Sequence, residues 1–288
     1  MYVPGTGLDG LRADLGPIPL GGVDELGVAW VLQTLDGWDS PEIRAQVQQR
    51  EGDHGAWSGA RYLGERPITL AGTVVAPDPA ALDDARERLL SAASLSDTTV
   101  VVYEQTPKQA LAHRSAKPLW KYETDVAATY SVMMTADDPR RYATVAQSGT
   151  TMLPITTGGM TYPRTYPLAF NAVTVSGQVD CANLGSFETR PVLVIDGPVS
   201  QPAVLAQMPD GSVRPMTYSQ DLSLGDQLVI DVDAKSVMLN GNVSRRRFLA
   251  VPLGWPVIPP EALVSFRFVA ATYTATAALT VRWRSAWI

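Results

Sequence analysis

The chain has 288 residues, of which 45% are hydrophobic and 18% charged, a globular balance that excludes intrinsic disorder as its main state. Its formal net charge is −6, with 20 Asp and Glu against 13 Lys and Arg in residues 1–143 and 9 against 10 in residues 144–288. Such a balance argues against nucleic-acid binding by the whole chain, because phosphate contacts need a concentrated basic face.

The opening stretch MYVPGTGLDG has neither a basic nor an apolar segment, so we expect no secretory signal. No run of 18 apolar residues predicts a membrane span.

The first half of the chain has the pattern of β-strands. Strand patterns occur in GVAWVLQTL, RPITLAGTVVAP, TTVVVYEQ and AATYSVMMTA, which are rich in β-branched and aromatic residues. In the first of these, Val28, Trp30 and Leu32 share one face, and in the second the alternating residues are Ile68, Leu70 and Val74 against Thr69, Ala71 and Thr73.

One segment in this half has helical spacing instead. Asp78 is suited to cap a helix and Pro79 to occupy its first position, so we predict a helix near residues 79–92 that packs across a sheet. We interpret Asp83 and Asp84 as acidic residues near the positive end of the helix dipole. The helix would bury an apolar stripe made of Leu82, Ala85 and Leu89.

The composition changes after Asp138-Pro139, where a Gly-, Thr- and Pro-rich connection predicts a domain boundary. We expect an N-terminal domain over residues 1–143 and a C-terminal domain over residues 144–288 that contains strands alone. Its short runs FNAVTVSGQ, RPVLVIDGP, DQLVIDVD, SVMLNG and SFRFVA are separated by turn residues at the spacing of a β-sandwich.

Two features of the C-terminal half are predicted residue by residue. A hairpin should pair Leu228, Ile230 and Val232 with Val237 and Leu239, and Asn240-Gly241 should form a tight turn after it. In the last strand, ALTVRWRSAWI, alternation predicts that the inward side chains are Leu279, Val281 and Trp283.

No pattern in the sequence predicts a catalytic, metal-binding or cofactor-binding residue. His54 and His113 lie far apart and lack metal-ligand spacing, and the single cysteine, Cys181, is expected to be a buried hydrophobe. Asp231 and Asp233 are the kind of carboxylate pair that a glycosidase needs. On an exposed strand face, however, they are better explained as solvated edge residues, so we expect no enzyme activity.

Two surface features remain as candidate contacts. Arg245, Arg246 and Arg247 follow the Asn-Gly turn, and on a strand the first and third would face opposite to the second. We interpret the triplet as a charged edge or an intersubunit contact through Arg forks, with anion or nucleic-acid contact as the alternative. Trp255, in the proline-flanked stretch LGWPVIPP, is the candidate for an exposed carbohydrate contact.

Several stretches together carry a family resemblance, and the strand–glycine–strand run that leads into a Pro-Asp-Pro capped helix is the most specific of them. They are GWDSPEIRAQVQQREGDHGAWSGARYLGERPITLAGTVVAPDPAALDDARERLL, TADDPRRY, LGSFETRPVLVIDGP, LGDQLVIDVDAKSVMLNG and TVRWRSAWI. In this order they resemble the distal tail proteins of siphoviruses, the long-tailed, non-contractile bacteriophages.

The resemblance implies a mainly β fold, with an N-terminal β-sandwich-like domain that carries one helix and a C-terminal galectin-like β-sandwich. It implies that the N-terminal domains assemble into a six-subunit ring at the distal end of the phage tail, in a virion protein made in the bacterial host cytoplasm. The expected partners are further copies of the chain, the tail tube protein, the tail-tip hub protein and the tape measure protein, without a membrane or a cofactor.

Genome DNA would pass through such a ring without specific binding. The acidic N-terminal half suits this role, because negative charge around a channel repels phosphates. Two other functions stay open from the residues: a receptor- or carbohydrate-binding tail adhesin that uses Trp255, and, with less support, a glycoside hydrolase.

Overall fold

The computed structural model describes residues 5, 7–8, 10–157 and 173–288. The chain divides into two compact units, Met1–Thr144 with Ile288 as unit 1 and Val145–Trp287 as unit 2. The sequence pattern puts the boundary between residues 143 and 144. Each unit has its own cluster of buried apolar side chains, so each has a hydrophobic core of its own.

Unit 1 is built around one large antiparallel sheet with the strand order β2-β1-β8-β9-β11-β7-β4-β3, in which β10 also pairs with β11 and β12 with β9. Its described elements are β1 (Ala13–Leu15), β2 (Ile18–Leu20), β3 (Gly22–Val23), β4 (Ala29–Asp36), β5 (Ile43–Gln49), β6 (Ala56–Leu63), β7 (Arg66–Val75), α1 (Pro79–Ala92), β8 (Thr98–Val102), β9 (Lys108–Arg114), β10 (Leu119–Thr124), β11 (Ala127–Ala136) and β12 (Arg141–Ala143). Strands β5 and β6 pair only with each other.

The shared faces predicted for the first half are confirmed, and they point inward. The alternate residues of β7 and β11 are buried along their length, and one core cluster contains all six side chains named for the first two strands, of which Val28 directly precedes β4. The apolar stripe of α1 joins the same cluster through Leu82, Ala85 and Leu89. The helix therefore covers the apolar side of the sheet, as its spacing predicts.

The start of α1 is also as predicted, but the role assigned to its two aspartates is wrong. The Asp78 carboxylate accepts a hydrogen bond from the Ala81 N–H at 2.8 Å, and Pro79 is the first helical residue. Asp83 and Asp84 lie beyond the first turn, where the dipole effect has faded. Asp83 instead accepts a hydrogen bond from the Tyr122 hydroxyl at 2.7 Å, and Asp84 pairs with Arg88 at 2.8 Å.

Unit 2 contains two antiparallel sheets, with strand orders β13-β25-β17-β20-β21-β22 and β16-β24-β18-β19-β23, and a separate β14–β15 pair. Its described elements are β13 (Gln147–Met152), β14 (Ile155–Thr157), β15 (Val173–Val175), β16 (Gln178–Asn183), β17 (Val192–Asp196), β18 (Ala203–Gln207), β19 (Val213–Tyr218), β20 (Gln227–Asp231), β21 (Ser236–Leu239), β22 (Val243–Ser244), a 3-10 helix (Arg246–Phe248), β23 (Leu249–Ala250), β24 (Ala262–Val269), β25 (Ala278–Trp283) and β26 (Ala286–Trp287).

Side chains from both sheets of unit 2 meet in one core, which is the arrangement of a β-sandwich. Leu193, Ile230 and Val281 come from one sheet, and Val204 and Phe266 from the other. The mainly β fold with a single α-helix in the first half, expected from the sequence, is thus confirmed within the described ranges. Part of the predicted strand run FNAVTVSGQ lies outside the described residues.

The predictions for the hairpin and for the last strand of unit 2 are confirmed, except that Val232 lies beyond the end of β20 and does not pair with β21. In the hairpin of β20 and β21, Leu228 lies opposite Leu239 and Ile230 opposite Val237. Gly241 follows with a φ of +76°, a left-handed conformation that glycine adopts without strain. In β25, the side chains that point into the core are Leu279, Val281 and Trp283.

Candidate assembly surface

The hairpin of β5 and β6, residues 43–63, is the most exposed structured part of unit 1, and we call it the arm. Every residue of β5 is exposed, and β6 is exposed except at its two ends. An isolated two-stranded ribbon is at best marginally stable in water, because it buries no apolar face. The arm is therefore a segment that gains stability when another surface covers it.

Large apolar side chains line this exposed ribbon. The exposed fraction is 67% for Ile43, 58% for Val47, 65% for Trp57 and 66% for Tyr62. Solvent-exposed apolar side chains grouped on one element are typical of an interaction site, whereas single ones scattered over a surface are not.

The register of the arm distributes these side chains over both of its faces. Ile43 and Val47 alternate on one face of β5, and Ile43 lies opposite Leu63. On the other face, Tyr62 lies opposite Arg44 and Trp57 lies opposite Gln48. Between these two pairs the register shifts, because β6 contains one extra residue there. One face is therefore aliphatic and the other aromatic, so both faces have apolar surface to bury.

The tip of the arm is ordered by local contacts. The Arg50 guanidinium lies over the Trp57 ring, 4.4 Å from its centre, and pairs with Asp53 at 3.6 Å. The Arg50 N–H donates to the Gly55 carbonyl at 3.1 Å, which closes the loop in which His54 is exposed. The tip therefore presents an aromatic ring and charged groups in a defined arrangement.

The root of the arm is fixed in the core by a buried arginine. Arg66 is fully buried and donates to the carbonyl oxygens of Pro139 at 2.9 Å, Gly37 at 3.2 Å and Trp38. Burial, together with the nearby charge of Arg141, lowers the pKa of Arg66 to about 10. At that pKa the guanidinium stays charged at neutral pH, and it connects the start of β7 with the segments around Gly37 and Pro139.

Two further features hold the root of the arm in place. The Trp38 ring is buried, and its Nε1–H donates to the Glu104 carboxylate at 2.7 Å. Gly37 has a φ of +78°, and a Cβ there would lie 1.8 Å from the Pro67 carbonyl oxygen, so only glycine fits. The arm therefore combines a root held by buried contacts with a ribbon of exposed apolar side chains.

The arginine triplet does not lie on a strand, so the alternation assumed for it is wrong. Arg246 and Arg247 begin a 3-10 helix, and Arg245 precedes it. Arg245 and Arg247 both lie over the Phe248 ring, and Arg246 lies over the Trp255 ring. The structure tests neither the intersubunit role nor the anion role of the triplet.

Trp255 is not the exposed platform that its proline-flanked loop suggested. Its side chain is half-buried against the core of unit 2, and the Arg246 guanidinium lies 5.0 Å from the centre of the ring. A sugar would have to displace Arg246 to stack on that face. The most exposed tryptophan among the described residues is Trp57 in the arm.

The residues considered for chemistry are accounted for by local structure. Asp231 accepts hydrogen bonds from the Asp233 and Ala234 N–H groups at 2.8 and 2.9 Å, and Asp233 pairs with Arg190 at 2.6 Å. Asp231 thus ends β20 and stabilises the turn that follows it, while Asp233 is exposed and pairs with Arg190. Cys181 is buried, as expected, and burial raises the pKa of its thiol to about 12.

His54 and His113 lie on different elements, and His113 is 4.0 Å from the Asp137 carboxylate. Within the described ranges, no three or more His, Cys, Asp and Glu side chains are grouped so that they could bind a metal ion. None of the helices described there is long and apolar enough for a membrane span.

Comparison with known proteins was made by sequence and by structure. No protein-family model matches the chain, and no curated protein matches it in sequence. The fold does match a solved structure, the Dit protein (gp 19.1) of SPP1, described as a paradigm of the hub adsorption apparatus in phages that infect Gram-positive bacteria. The match has a TM-score of 0.61 at 11% identity and covers 90% of this chain and 93% of that one.

The chain has the fold of a phage distal tail protein. A chain of the phage P2 baseplate, in its activated conformation with Ca, is also similar, with a TM-score of 0.52 at 10% identity over 94% of this chain and 97% of that one. Both matches extend through the two units, so the distal tail protein fold describes the whole chain.

Proposed function

We propose that this protein is a structural component of a siphovirus tail that forms a six-subunit ring between the tail tube and the tail-tip hub. The shared fold with SPP1 Dit supports a place in the tail, and in this proposal the ring also adjoins the tape measure protein. The protein acts by assembly and not by catalysis, which agrees with the structural roles of its aspartates and of Cys181.

The arm is the observation that carries the proposal. It is a docking element with apolar surface on both faces, so a partner must cover it from two sides. A neighbouring copy can do so if each arm lies on the next subunit in a head-to-tail manner, because such an interface closes into a ring when the rotation permits. In this proposal each subunit contributes an arm, and the next subunit contributes the surface that the arm contacts.

The charge of unit 1 supports the passage of DNA through this ring. Residues 1–143 carry a net charge of −7, from 13 basic and 20 acidic residues, and negative charge around an opening would repel phosphates and prevent the genome from binding there. A ring whose opening is lined by basic side chains would contradict this part of the proposal.

The alternative of a carbohydrate-binding adhesin has weaker support. It depends on an exposed Trp255, and that side chain is half-buried beneath Arg246. The ring is therefore the function proposed for this chain.

The test is to make the arm polar and to measure assembly. We expect the wild-type chain to give particles with six times the 31.0 kDa protomer mass in light scattering after size-exclusion chromatography, and rings in negative-stain images. The double variant Trp57→Ser/Tyr62→Ser should stay monomeric, because it loses the aromatic face of the arm while unit 1 keeps its buried core.

A matched control is available in unit 2. Leu224 and Leu253 are 81% and 62% exposed, so the double variant Leu224→Ser/Leu253→Ser removes comparable apolar surface outside the arm and should assemble like the wild type. Equal loss of assembly in both variants would show a general effect of surface polarity and would refute the role of the arm. A wild-type chain that stays monomeric even with the tube and hub proteins added would refute the ring.

A further inference from the structure

The arginine triplet lies where both sheets of unit 2 end. Strand β22 is the last strand of one sheet and β23 the last strand of the other, and Arg245 and the 3-10 helix connect them. The Arg245 N–H donates to the Val237 carbonyl at 2.8 Å, which fixes the start of this connection on β21. The three guanidinium groups are thus presented from a short, anchored segment and not from a long loop.

Aromatic rings hold the three guanidinium groups in place. The centre of the Phe248 ring is 5.7 Å from the Arg245 guanidinium carbon and 4.5 Å from that of Arg247, and the Trp255 ring is 5.0 Å from that of Arg246. Phe248 and Trp255 both pack against the core of unit 2. A guanidinium that lies over a ring face keeps N–H donors for a ligand, so these contacts restrict the three groups before any ligand arrives, although the Nε of Arg245 is itself buried.

No carboxylate pairs directly with these groups in the described part of the chain. None of the three arginines forms an ion pair there, and the hydrogen bond that Arg246 donates from its side chain goes to the Leu249 carbonyl, at 2.8 Å. The carboxylate of Asp226, which feels the charge of Arg245, is already bound to Asn240 and to the Ser223 N–H. Arg246 and Arg247 are exposed, so their positive charge faces solvent.

A simpler explanation is that the arginines protect two sheet edges from pairing with other chains. Edge protection needs only charge, and it does not require that each guanidinium stack on a ring anchored in the core. The stacking costs side-chain freedom and fixes the donor geometry, which is useful for recognising an anion. The two explanations also differ experimentally, because a glutamate protects an edge as well as an arginine does but cannot bind an anion.

The spacing indicates what kind of anion would fit. Arg245 and Arg247 lie over the Phe248 ring and Arg246 over the separate Trp255 ring, so the three guanidinium groups do not converge on one small ion. The three guanidinium groups suit a series of anionic groups that are linked in a chain and lie along the turn. Duplex DNA would need a broad basic face, and residues 144–288 have a net charge of only +1, from 10 basic and 9 acidic residues.

We infer that Arg245, Arg246 and Arg247, stacked on Phe248 and Trp255, form a binding site for a thin, flexible chain of phosphate groups. This site lies within unit 2 and does not depend on the arm or on the ring. Each guanidinium contacts one phosphate group through its free N–H donors, and the rings set the spacing between the contacts.

Short-chain inorganic polyphosphate is the probe, and its binding to the full chain is measured by isothermal titration calorimetry between about 50 and 200 mM salt. Three phosphate contacts predict that the logarithm of the association constant falls with the logarithm of salt concentration with a slope of about −2. The double variant Arg246→Glu/Arg247→Glu should bind at least about tenfold more weakly at low salt, and its slope should be near −0.7 or shallower. Both positions are exposed, so the fold is retained.

The control variant Arg267→Glu/Arg282→Glu makes the same change in net charge at two other exposed arginines of unit 2 and should bind like the wild type. Light scattering should show that the glutamate variant of the triplet stays as monodisperse as the wild type, because its edges remain charged. No binding of polyphosphate by the wild type, or equal weakening in both variants, would overturn the inference. Binding of duplex DNA as tight as that of polyphosphate would overturn the thin-chain assignment.

Discussion

Asp24 shows how one buried charge connects three parts of unit 1. Its carboxylate is almost fully buried and accepts hydrogen bonds from the Val28 N–H at 3.0 Å, the Trp30 ring N–H at 3.0 Å and the Arg88 guanidinium at 2.7 Å. Burial alone would raise its pKa, but the hydrogen bonds from Trp30, Arg88 and Val28 outweigh that effect, and the pKa of Asp24 lies below its usual value. Asp24 therefore joins the turn before β4 to helix α1.

We expect Asp24→Asn to lower the free energy of unfolding at pH 7 by about 1–3 kcal/mol, because charge-assisted bonds to Arg88 and Trp30 are lost. A group with a depressed folded pKa stabilises above its unfolded pKa and loses that contribution as pH falls through the folded value. The difference between variant and wild type, measured by urea unfolding, should therefore shrink below about pH 4.

The exposed Asp97 supplies the control for this prediction, since Asp97→Asn changes the charge equally and should leave the unfolding free energy nearly unchanged. A difference for Asp24→Asn that stays constant from pH 7 to about pH 3 would show that its ionisation does not stabilise the fold.

At this scale the sequence predicts burial well and partners poorly. Alternation places Trp30 and Trp283 on strand faces with apolar neighbours, and both side chains are buried. Trp255 and Arg246 look independent in sequence, nine positions apart, but the 3-10 turn brings one over the other. Arg66 begins a strand of regular alternation, and nothing in that pattern shows that its side chain binds three distant carbonyl groups. Partners of this kind depend on the tertiary fold.

Among the elements, helix α1 is the one that local sequence specifies most completely. Its cap, its first proline and its apolar stripe all agree, and agreement among local signals makes an element predictable. We expect Asp78→Ala to reduce the free energy of unfolding of the chain by about 1 kcal/mol, because the Ala81 N–H loses its acceptor.

Asp78→Asn is the matched variant for the cap, since an asparagine side chain also accepts this hydrogen bond, and it should stay close to the wild type in chemical denaturation. If both substitutions destabilise the chain equally, the charge of Asp78 and not its capping bond is what matters.

The arm is the element that sequence patterns describe least well. IRAQVQQ does alternate Ile43, Ala45 and Val47 with polar residues, but this alternation normally marks a strand with one buried face. In the arm that face is exposed, and apolar residues lie on the opposite face as well. The stretch EGDHGAWSG looks like a flexible loop in sequence, but residues 56–59 belong to β6, which pairs with β5.

At the scale of the whole molecule, the two units differ in the surfaces that they present. Unit 1 has the arm and the acid-rich composition on which the proposed ring depends, and unit 2 is a sandwich that presents the arginine triplet. The fold class could be predicted because alternation, turns and one capped helix are local signals. Assembly could be expected from the family resemblance but not from periodicity, because an interface between copies leaves no regular pattern in one chain.

The most direct measurement is cryo-electron microscopy of the distal end of the tail particle that contains this protein. We predict six copies in a closed collar around the central channel, between the tube and the hub, with residues 43–63 of each copy in contact with the next copy. Copies that lie outside such a collar, or a collar in which every arm is exposed to solvent, would contradict this account.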